Sequence, residues 1–584
     1  MLETIPDVLA KLKESPPNSS ALNYIDKGGK WVSISTGEFV RQVECIASAL
    51  RIMGLKREDK IAIMSPPSPF WMTCDLGIML NGMVTVPIFP NISEDNFILE
   101  ISQSECKAIF VAGALSHQLA EKYLDYFERI ISLDVTPFFK EQLLYQDLVD
   151  LGQKTIKQGT IDPVSISPTD TATIVYTSGT TGIPKGVELT HKNLVCQFEN
   201  TEKWMDIRRG DRYLSILPLA HILGRNVAFT LLALGVSIYF LNDMALLLQT
   251  FQEVKPTLFT AVPRLFERLY NTIALKIEES NPLLRPFAKW ALNRAKQQEP
   301  SAWSYGFANL ILYSRIRKLF GGHIRFILSG GAPLSSHILN FFLNSGVLIV
   351  EGYGLTEACP VISNRPTEHL PGTIGKAMPS IEVQLSPSGE ILLRGPVVMK
   401  GYYCNPQSTA AALDSEGWLH TGDQGFFDPR GFLHITGRIS DKLKTSYGEF
   451  VDIPALEGLL GQLPFVDLAI AVVENRPFVT CLLFPNFDEI EKLKKQMDLR
   501  DLSVEEILRM DFIRREIDRS IQQINEHLNQ WERVRGYRFI YHPASVETGE
   551  LSASLKPRHH FIVEKYTAII DEMYPLSTIH TGPR

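Results

Sequence analysis

Short apolar runs with strand character alternate with longer segments of helical periodicity along most of the first 350 residues. Residues 37–53 (GEFVRQVECIASALRIM) carry apolar side chains at helical spacing, Gly54 follows, and residues 60–64 (KIAIM) are typical of a buried strand. The same patterns predict a helix over 70–81 and a strand over 84–88. Such alternation is typical of parallel sheets covered by helices. It predicts an α/β fold, in which ligands bind at the loops after the carboxyl ends of strands.

The rest of the chain divides by pattern into two regions. Residues 383–393 and 431–436 alternate in polarity and predict a β-rich lobe, and the tail after Arg438 has helix and strand patterns of its own. Residues 465–473 and 478–484 flank a plausible hairpin turn. We therefore predict a large N-terminal domain over 1–438, made of parallel-sheet layers plus the β-rich lobe, and a small mobile α+β C-terminal domain over 439–584. Further buried strands are predicted at residues 107–111, 173–176, 212–216, 237–240, 258–261, 326–329 and 347–350.

Composition excludes several classes of protein. A formal net charge of -7 leaves no global basic excess, which argues against a nucleic-acid binder. The seven cysteines are scattered without C-x-x-C spacing, so a disulfide framework or zinc knuckle is not expected. The N-terminus lacks the apolar core of a signal peptide, and the apolar run 227–241 is shorter than the roughly 18 to 20 residues of a spanning helix. That run predicts a buried helix followed by a buried strand, and the cytoplasm is the expected location.

The most informative segment is residues 176–187 (YTSGTTGIPKGV), which follows the strand predicted over 173–176. Its glycines allow the backbone to approach phosphate oxygens, its hydroxyls are neutral donors and Lys185 is a cation. It is not a Walker A loop, because Pro184 precedes the lysine and Gly186 follows it. The alternative is a flexible Gly/Thr turn, but its length and position after a strand favour a polyphosphate site. A helix is predicted to open over 189–198.

This segment closely resembles the phosphate-binding signature of the adenylate-forming superfamily of acyl-CoA synthetases, peptide-synthetase adenylation domains and luciferases. The resemblance implies ATP and Mg²⁺ as cofactors, with Thr180 among the Mg²⁺ ligands. It covers roughly residues 31–566. The residues that it assigns to the phosphate loop are Thr177, Ser178, Gly179, Thr180, Thr181, Gly182 and Lys185.

Further segments match the family in order. Residues 217–221 (LPLAH) place His221 beside the carboxylate site, and residues 329–334 (SGGAPL) resemble the adenine-side loop with Gly330, Gly331 and Ala332. In residues 351–357 (EGYGLTE), the resemblance implies that Tyr353 stacks on adenine, that Thr356 contacts the α-phosphate and that Glu357 holds Mg²⁺. A single Mg²⁺ carboxylate beside phosphates agrees with the chemistry of that ion.

The last motifs assign the ribose and the second half-reaction. Residues 418–423 (WLHTGD) and 437–438 (GR) imply that Asp423 and Arg438 grip the ribose, and Gly448 matches the glycine beside the phosphopantetheine arm. Residues 548–556 (TGELSASLK) align Lys556 with the lysine of the adenylation step, although SAS replaces the family's TPT; the alternative is an exposed lysine in a basic turn. The hinge position, usually Lys or Asp, is Ser440.

The substrate expected from the resemblance is a long-chain fatty acid, since residues 260–268 (TAVPRLFER) and the insert-like stretch 273–321 resemble that group. Coenzyme A and the phosphopantetheine of acyl carrier protein both remain open as the thiol acceptor. Two alternatives are less favoured. The protein could be a non-catalytic sensor of acyl groups or nucleotides, or it could pass the adenylate to another reaction, as luciferases do. Residues 283–296 (LLRPFAKWALNRAK) predict either a basic amphipathic helix in peripheral contact with a membrane or, as the favoured interpretation, a helix packed on the core.

Overall fold

The computed structural model describes residues 2–140, 142–159, 164–178, 184–297, 304–439, 442–447, 449–474, 476–552 and 555–574. Its contacts divide the chain into two compact units. The larger unit contains the chain up to Thr177, Pro184–Thr421 and Gly425–Ile435. The smaller unit contains Gly422–Gln424 and the described chain from Thr436 onward. The domain boundary after residue 438, and the mobility of the region beyond it, stay predictions.

The structure contains strands in both units, and most of them alternate with helices along the chain. They are β1 Leu22–Ile25, β2 Trp31–Ile34, β3 Lys60–Met64, β4 Val84–Ile88, β5 Ala108–Val111, β6 Arg129–Ser132, β7 Leu143–Leu144, β8 Thr171–Ser178, β9 Pro184–Thr190, β10 Arg212–Ser215, β11 Ser237–Phe240, β12 Leu258–Ala261, β13 Phe326–Ser329, β14 Ile349–Leu355, β15 Cys359–Ser363, β16 Lys376–Ala377, β17 Glu382–Leu385, β18 Glu390–Arg394, β19 Gly401–Tyr402, β20 Leu419–Phe427, β21 Leu433–Arg438, β22 Lys442–Lys444, β23 Phe450–Asp452, β24 Val466–Val472, β25 Val479–Pro485 and β26 Val534–Phe539.

The helices cover the faces of the sheets. They are α1 Ile5–Glu14, α2 Thr36–Ile52, α3 Pro69–Met79, α4 Glu94–Ser104, α5 Ala114–Lys122, α6 Tyr145–Gln158, α7 His191–Trp204, α8 Ile222–Ala233, α9 Leu247–Val254, α10 Pro263–Glu278, α11 Arg285–Ala295, α12 Tyr305–Ala308, α13 Ser314–Leu319, α14 Ser336–Asn344, α15 Pro406–Ala412, α16 Ile453–Leu460, α17 Phe487–Met497, α18 Val504–Leu508, α19 Asp511–Glu526, α20 His559–Lys565 and α21 Thr567–Asp571. A π-helical turn, Asn309–Tyr313, joins α12 to α13.

Two large sheets form the larger unit. One has the order β19-β9-β8-β4-β3-β5-β6-β7, and the other has the order β16-β15-β14-β13-β12-β10-β11-β1-β2. Their central strands are parallel, as in the pairs β3–β4 and β12–β13. Ile61 and Ile63 face the core between the sheets, where α2, α3 and α8 also pack, whereas Ala62 and Met64 face a second core on the outer side. Strands that are buried on both faces of a sheet are expected to be apolar along their whole length. This explains why apolar runs in the sequence predicted these strands.

Smaller sheets complete the two units. Strands β17, β18, β20 and β21 form the predicted β-rich lobe, and β17 and β18 are an antiparallel hairpin. The smaller unit contains the sheet β24-β25-β26, in which β24 pairs antiparallel with β25, as expected, and β25 runs parallel to β26. Apolar clusters cover both faces of this three-stranded sheet. The α/β prediction, with parallel-sheet layers, a β-rich lobe and a small α+β unit, is confirmed.

The helix predicted over 189–198, after the phosphate loop, begins later than predicted. Residues 184–190 form strand β9, and α7 begins only at His191. Thr190 is the N-cap, and its side chain accepts a hydrogen bond from Asn193 N at 3.2 Å. Because Val187 and Leu189 are fully buried in the sheet, tertiary packing determines the strand where helical spacing alone suggested a helix.

The run 227–241 forms the end of α8 and then β11, as predicted. Residues 283–296 contain α11, which buries Ala288, Ala291 and Leu292 against the core on one side, while other apolar side chains of the segment stay exposed. No helix among the described residues is both long and apolar enough to cross a membrane.

Candidate active site

The described ends of the phosphate segment belong to two strands of the first sheet. Strand β8 carries the buried Tyr176 and the half-buried Thr177, and it ends at Ser178. Strand β9 carries Lys185 as its second residue. The predicted loop residues Gly179, Thr180, Thr181 and Gly182 lie outside the described residues. A Cβ atom at Gly186 would lie 2.8 Å from Ile174 Cγ2, so the close approach of the two strands requires glycine there.

Tyr402 brings Lys185 and Glu357 together. Strand β19 pairs antiparallel with β9, with Tyr402 opposite Val187. The ammonium of Lys185 lies 5.2 Å from the centroid of the Tyr402 ring, and the hydroxyl of Tyr402 donates a hydrogen bond to Glu357 Oε1 at 2.8 Å. Burial, followed by the negative charge of Glu357, raises the pKa of Tyr402, so the phenol stays protonated and remains a donor. The result is a cation, a phenol and a carboxylate in one cluster.

Glu357 presents the chemistry expected of a Mg²⁺ ligand. It is half-buried just after β14, and its backbone oxygen accepts from Met399 N at 2.7 Å. The described residues contain no group of three or more His, Cys, Asp or Glu side chains placed to hold a metal ion. Mg²⁺ bound to a nucleotide usually takes only one or two protein carboxylates. A single carboxylate beside the strand that carries Lys185 therefore fits Mg²⁺, whereas Thr180 is outside the described part of the chain.

The adenine-side motifs lie on neighbouring strands. Strands β13 and β14 are parallel with Ser329 opposite Glu351, so residues 330–332 follow one strand where the other carries Tyr353. Gly331 has a φ of +86° and is exposed together with Ala332, whereas the ring of Tyr353 is buried. These residues leave an open, small-residue ledge of the kind on which a planar base can lie.

Glu351 ties the start of this motif to two loops. Its Oε2 accepts from Gly372 N at 3.0 Å, and the Leu334 backbone also donates to the carboxylate. Burial raises the pKa of Glu351 to about 7, and these backbone donors oppose the shift. The carboxyl group therefore connects the end of the adenine-side loop to the loop at Gly372.

His221 is the N-cap of α8. Its Nδ1 accepts a hydrogen bond from Leu223 N at 3.2 Å, which places the proton of a neutral ring on Nε2. A Cβ atom at Gly330 would lie 3.3 Å from Leu223 Cδ2, so the start of α8 packs against the adenine-side loop. Thr356 is half-buried directly after β14. His221 and Thr356 thus lie in the larger unit together with Lys185 and Glu357.

The smaller unit brings Asp423, Arg438 and Lys556 together. Arg438 Nε donates to Asp423 Oδ1 at 2.8 Å, with Asp423 buried and Arg438 47% exposed. Lys556 as a whole is exposed, but protein atoms crowd around its ammonium group. Desolvation, followed by the positive charge of Arg438, lowers the pKa of Lys556, and Asp423 acts in the opposite direction. Lys556 is therefore close to both predicted ribose residues and is not an isolated surface lysine.

The Lys556 loop is held by a local network. Ser552 N donates to Lys556 O at 2.8 Å, and Lys556 N donates to Ser552 Oγ at 3.1 Å. The buried carboxylate of Glu550 accepts from Lys565 Nζ at 2.6 Å and from the Tyr566 hydroxyl at 2.7 Å. Gly448 and Ser440 lie outside the described residues, so their predicted roles are without structural detail.

The sequence motifs did not indicate two features of the structure at and behind the candidate site. Tyr402 lies in no recognised motif, and only the pairing of β19 with β9 makes it a neighbour of Lys185 and Glu357. The second feature is the buried ion pair of Asp75 with Arg225 behind the phosphate strand. The only sequence signal for this pair was a charged residue within each of two otherwise apolar helices, at α3 and α8.

The layered parallel sheets, with a lysine and a carboxylate beside strand β9, agree with the class of protein that the sequence motifs predict, and comparison with known proteins identifies the family. The family model described as AMP-binding enzyme matches residues 10–403, and the chain belongs to this family.

Among its relatives, the chain is 30% identical over 570 residues to the long-chain-fatty-acid–CoA ligase FadD15 of Mycobacterium tuberculosis, covering 94% of this chain and 93% of that protein. It is 28% identical over 614 residues to long chain acyl-CoA synthetase 1 of Arabidopsis thaliana, covering 97% and 92%.

Solved structures agree in fold. The adenylation domain of a carboxylic acid reductase from Segniliparus rugosus, in complex with AMP and a co-purified carboxylic acid, matches with a TM-score of 0.75 at 20% identity, over 98% of this chain and 93% of that one. ATP-bound MatB from Rhodopseudomonas palustris matches with a TM-score of 0.71 at 21% identity, over 97% and 99%.

Proposed function

We propose that the protein is an acid–thiol ligase that activates a long-chain fatty acid with ATP and transfers the acyl group to coenzyme A. The observation that carries the proposal is the cluster of Lys185, Tyr402 and Glu357 beside the phosphate strand. Relatives named as long-chain fatty acid–CoA ligases, similar along nearly the whole chain, support the choice of acid and thiol.

The first half-reaction makes an acyl-adenylate. A carboxylate oxygen of the fatty acid attacks the α-phosphorus of ATP, the bond from that phosphorus to the bridging oxygen breaks, and pyrophosphate leaves with the bond electrons. Both reactants are anions, so the barrier is largely electrostatic. Lys185 supplies positive charge on the phosphate side and Lys556 is the lysine that we assign to the reacting carboxylate and phosphates. His221, at the start of α8, positions the carboxylate in this proposal.

Glu357 is the residue that would hold Mg²⁺, which when bound neutralises phosphate charge. Tyr402 fixes the orientation of that carboxylate by donating to Oε1, which leaves Oε2 available to a cation. The base lies on the ledge of Gly330, Gly331 and Ala332 against Tyr353, and Thr356 contacts the α-phosphate. Asp423 and Arg438 hold the ribose hydroxyls.

The second half-reaction transfers the acyl group. The thiol of coenzyme A loses its proton to solvent, its sulfur attacks the acyl carbonyl, the carbon–oxygen bond to AMP breaks with its electrons going to the phosphate oxygen, and a thioester and AMP result. The phosphopantetheine arm passes Gly448 in this proposal, where a side chain would narrow the path. No residue of the protein becomes acylated, in keeping with the lack of a nucleophilic triad in the sequence.

The test is a pyrophosphate-release assay with ATP, Mg²⁺ and palmitate, run separately with coenzyme A and with holo acyl carrier protein. Turnover that requires palmitate and coenzyme A is the expected result. Turnover with carrier protein alone would replace the acceptor but keep the adenylation step. If neither thiol supports turnover with acids of any chain length, the proposal is wrong, and ATP-binding calorimetry would then test a nucleotide sensor.

A further inference from the structure

The larger unit exposes a cluster of apolar side chains on the helices of its insert. We call this cluster the aromatic patch. Leu283 and Leu310 are 80% and 75% exposed, and Phe287 is 49% exposed. Isolated exposed apolar residues are ordinary, but contiguous ones rimmed by charge indicate an interaction surface. The patch consists of Leu283, Leu284, Phe287, Trp290, Phe307 and Leu310.

Its aromatic rings are in mutual contact. The ring centroids of Phe287 and Phe307 are 6.0 Å apart in an edge-on arrangement, and those of Trp290 and Phe307 are 5.7 Å apart. Phe287 and Trp290 are one helical turn apart on α11, and Phe307 belongs to α12. The three rings therefore form a continuous surface across two helices.

The other side of the same helices is firmly packed. Ala291 and Ala295 of α11 are completely buried, and Leu312 and Tyr313 of the π-helical turn are buried in the same apolar cluster. The outward aromatic residues are therefore not needed to fill this core, and the helices hold them in fixed positions. A rigid scaffold with an outward apolar face matches an interfacial helix, which lies in the plane of a surface.

The charge near the patch is mainly positive. Residues 281–325 contain eight lysines and arginines and a single acid, Glu299, in a protein whose net charge is -7, although the exposed Glu278 and Glu279 directly precede this range. Two of the eight do not contribute to the surface charge, because Arg294 is buried and Arg325 is paired with two aspartates. Lys289, Arg315 and Lys318 are exposed. Lys289 contacts Glu278 from the preceding helix at 2.8 Å, but both side chains are about half exposed, and such pairs are weak. A local basic excess beside exposed aromatic residues is complementary to an anionic surface with an apolar interior.

We propose that the aromatic patch docks the protein on anionic lipid membranes, with Phe287, Trp290 and Phe307 inserted at the level of the headgroups. Trp, Phe and Leu partition to this boundary, while lysine and arginine reach the acidic headgroups. The patch and the local charge carry this inference independently of the proposed reaction.

The test is vesicle flotation of the full-length protein, which requires no turnover and so can fail independently of the proposed reaction. Vesicles of phosphatidylcholine alone are compared with vesicles that also contain phosphatidylglycerol, at low and high salt. Binding that requires phosphatidylglycerol and declines with salt is expected. Equal binding to both vesicle types, or no binding to either, would overturn the proposal.

The patch variant F287S/W290S/F307S should bind anionic vesicles at least about tenfold more weakly, because three inserted rings are lost. The control variant Y126S/V135S removes two exposed apolar residues elsewhere in the larger unit and should float like the wild type. If the triple variant does not fold, the single substitution Leu310→Ser takes its place. It lies at the most exposed position of the π-helical turn and should also weaken binding to anionic vesicles. Flotation of the patch and Leu310 variants at the wild-type level would contradict the docking site.

A second copy of the chain is the competing occupant of the patch. Sedimentation analysis without lipid therefore accompanies flotation. A monomeric wild-type protein supports the proposal that the patch binds lipid. The proposal would be overturned if the wild-type protein is a dimer, the patch variant is a monomer, and both bind lipid equally.

Discussion

The larger and smaller units each contain a buried carboxylate paired with a basic side chain, and the two carboxylates are held differently. In the larger unit, Arg225 donates to Asp75 through Nε at 2.8 Å and through a terminal nitrogen at 2.5 Å, and both side chains are at most 1% exposed. In the smaller unit, Glu550 is fully buried but its partner Lys565 is 33% exposed.

These anchors stabilise different kinds of structure. Arg225 also donates to the hydroxyl of Thr173 at 2.8 Å, so the pair connects α3, α8 and the strand that leads to the phosphate segment. Glu550 lies in the loop that carries Lys556 and binds that loop to α20. The strand that leads to the phosphate segment therefore packs on a solvent-free ion pair, whereas the loop of Lys556 is held by an ion pair that is partly solvated.

Breaking the core anchor should have the largest effect. Arg225→Met leaves a buried carboxylate without its cation and should lower the free energy of unfolding of the larger unit by about 3–5 kcal/mol. Urea unfolding monitored by circular dichroism measures this change. Arg57→Met is the matched control, since the pair of Arg57 with Asp170 is partly exposed and should contribute less than about 1 kcal/mol. Equal destabilisation by the two substitutions would contradict the distinction between the anchors.

Removing the lysine of the loop should separate the two half-reactions. Lys556→Ala should slow adenylate formation by about 10²–10³-fold, because a charge aimed at the reacting phosphate is lost. Thioester formation from pre-made acyl-adenylate should be nearly unchanged. Single-turnover assays of each half-reaction measure both effects, with the exposed Lys495→Ala as the control. Equal loss of both half-reactions would show that Lys556 is misassigned.

The partly solvated anchor should respond to pH. Burial alone would raise the pKa of Glu550, but donors from Lys565, Thr548 and Tyr566 outweigh it and hold the pKa at about 2, below the ordinary 4.5. The carboxylate therefore contributes stability above about pH 4.5, and this contribution is lost as the pH falls through about 2.

Glu550→Gln should accordingly destabilise the smaller unit by about 1.5–3 kcal/mol at neutral pH, the value of hydrogen bonds to a charged group. The difference from the wild type should shrink as the pH falls from about 4.5 toward 2. Hydrogen exchange of α20 amides against pH measures it. A difference independent of pH would mean that the carboxylate charge is not what holds the loop.

The smallest effect is expected at Tyr402. Tyr402→Phe keeps the ring beneath Lys185 but removes the hydrogen bond to Glu357, so adenylation should slow by about fivefold, equivalent to about 1 kcal/mol. The Mg²⁺ dependence of the rate should shift to higher concentration, because the carboxylate is less well oriented. Tyr403→Phe on the adjacent position is the control. An unchanged Mg²⁺ dependence would exclude the positioning role.

Much of the fold was predictable from local patterns. The strands at 60–64, 84–88, 237–240, 258–261 and 326–329 coincide with β3, β4, β11, β12 and β13. Four of these segments, β3, β4, β12 and β13, are largely buried on both faces of parallel sheets, so their apolar runs are unambiguous. Strand β11 instead alternates between half-buried and buried residues. The strand over 184–190 was missed because Pro184, Lys185 and Gly186 obscure its pattern, and its place in the sheet between β8 and β19 reveals it. The roles of the predicted site residues stay predictions until they are tested by substitution.

The sequence by itself determined the α/β class, the family and the positions of the phosphate and carboxylate motifs, because these depend on local periodicity and on short runs of particular residues. Only the tertiary structure decided that Tyr402 joins Lys185 to Glu357, that Asp75 and Arg225 support the phosphate strand, and that the aromatic side chains of α11 and α12 face outward. Such contacts depend on strand register and on helix rotation against the core. Both are set by packing between segments far apart in the chain, which no local pattern encodes.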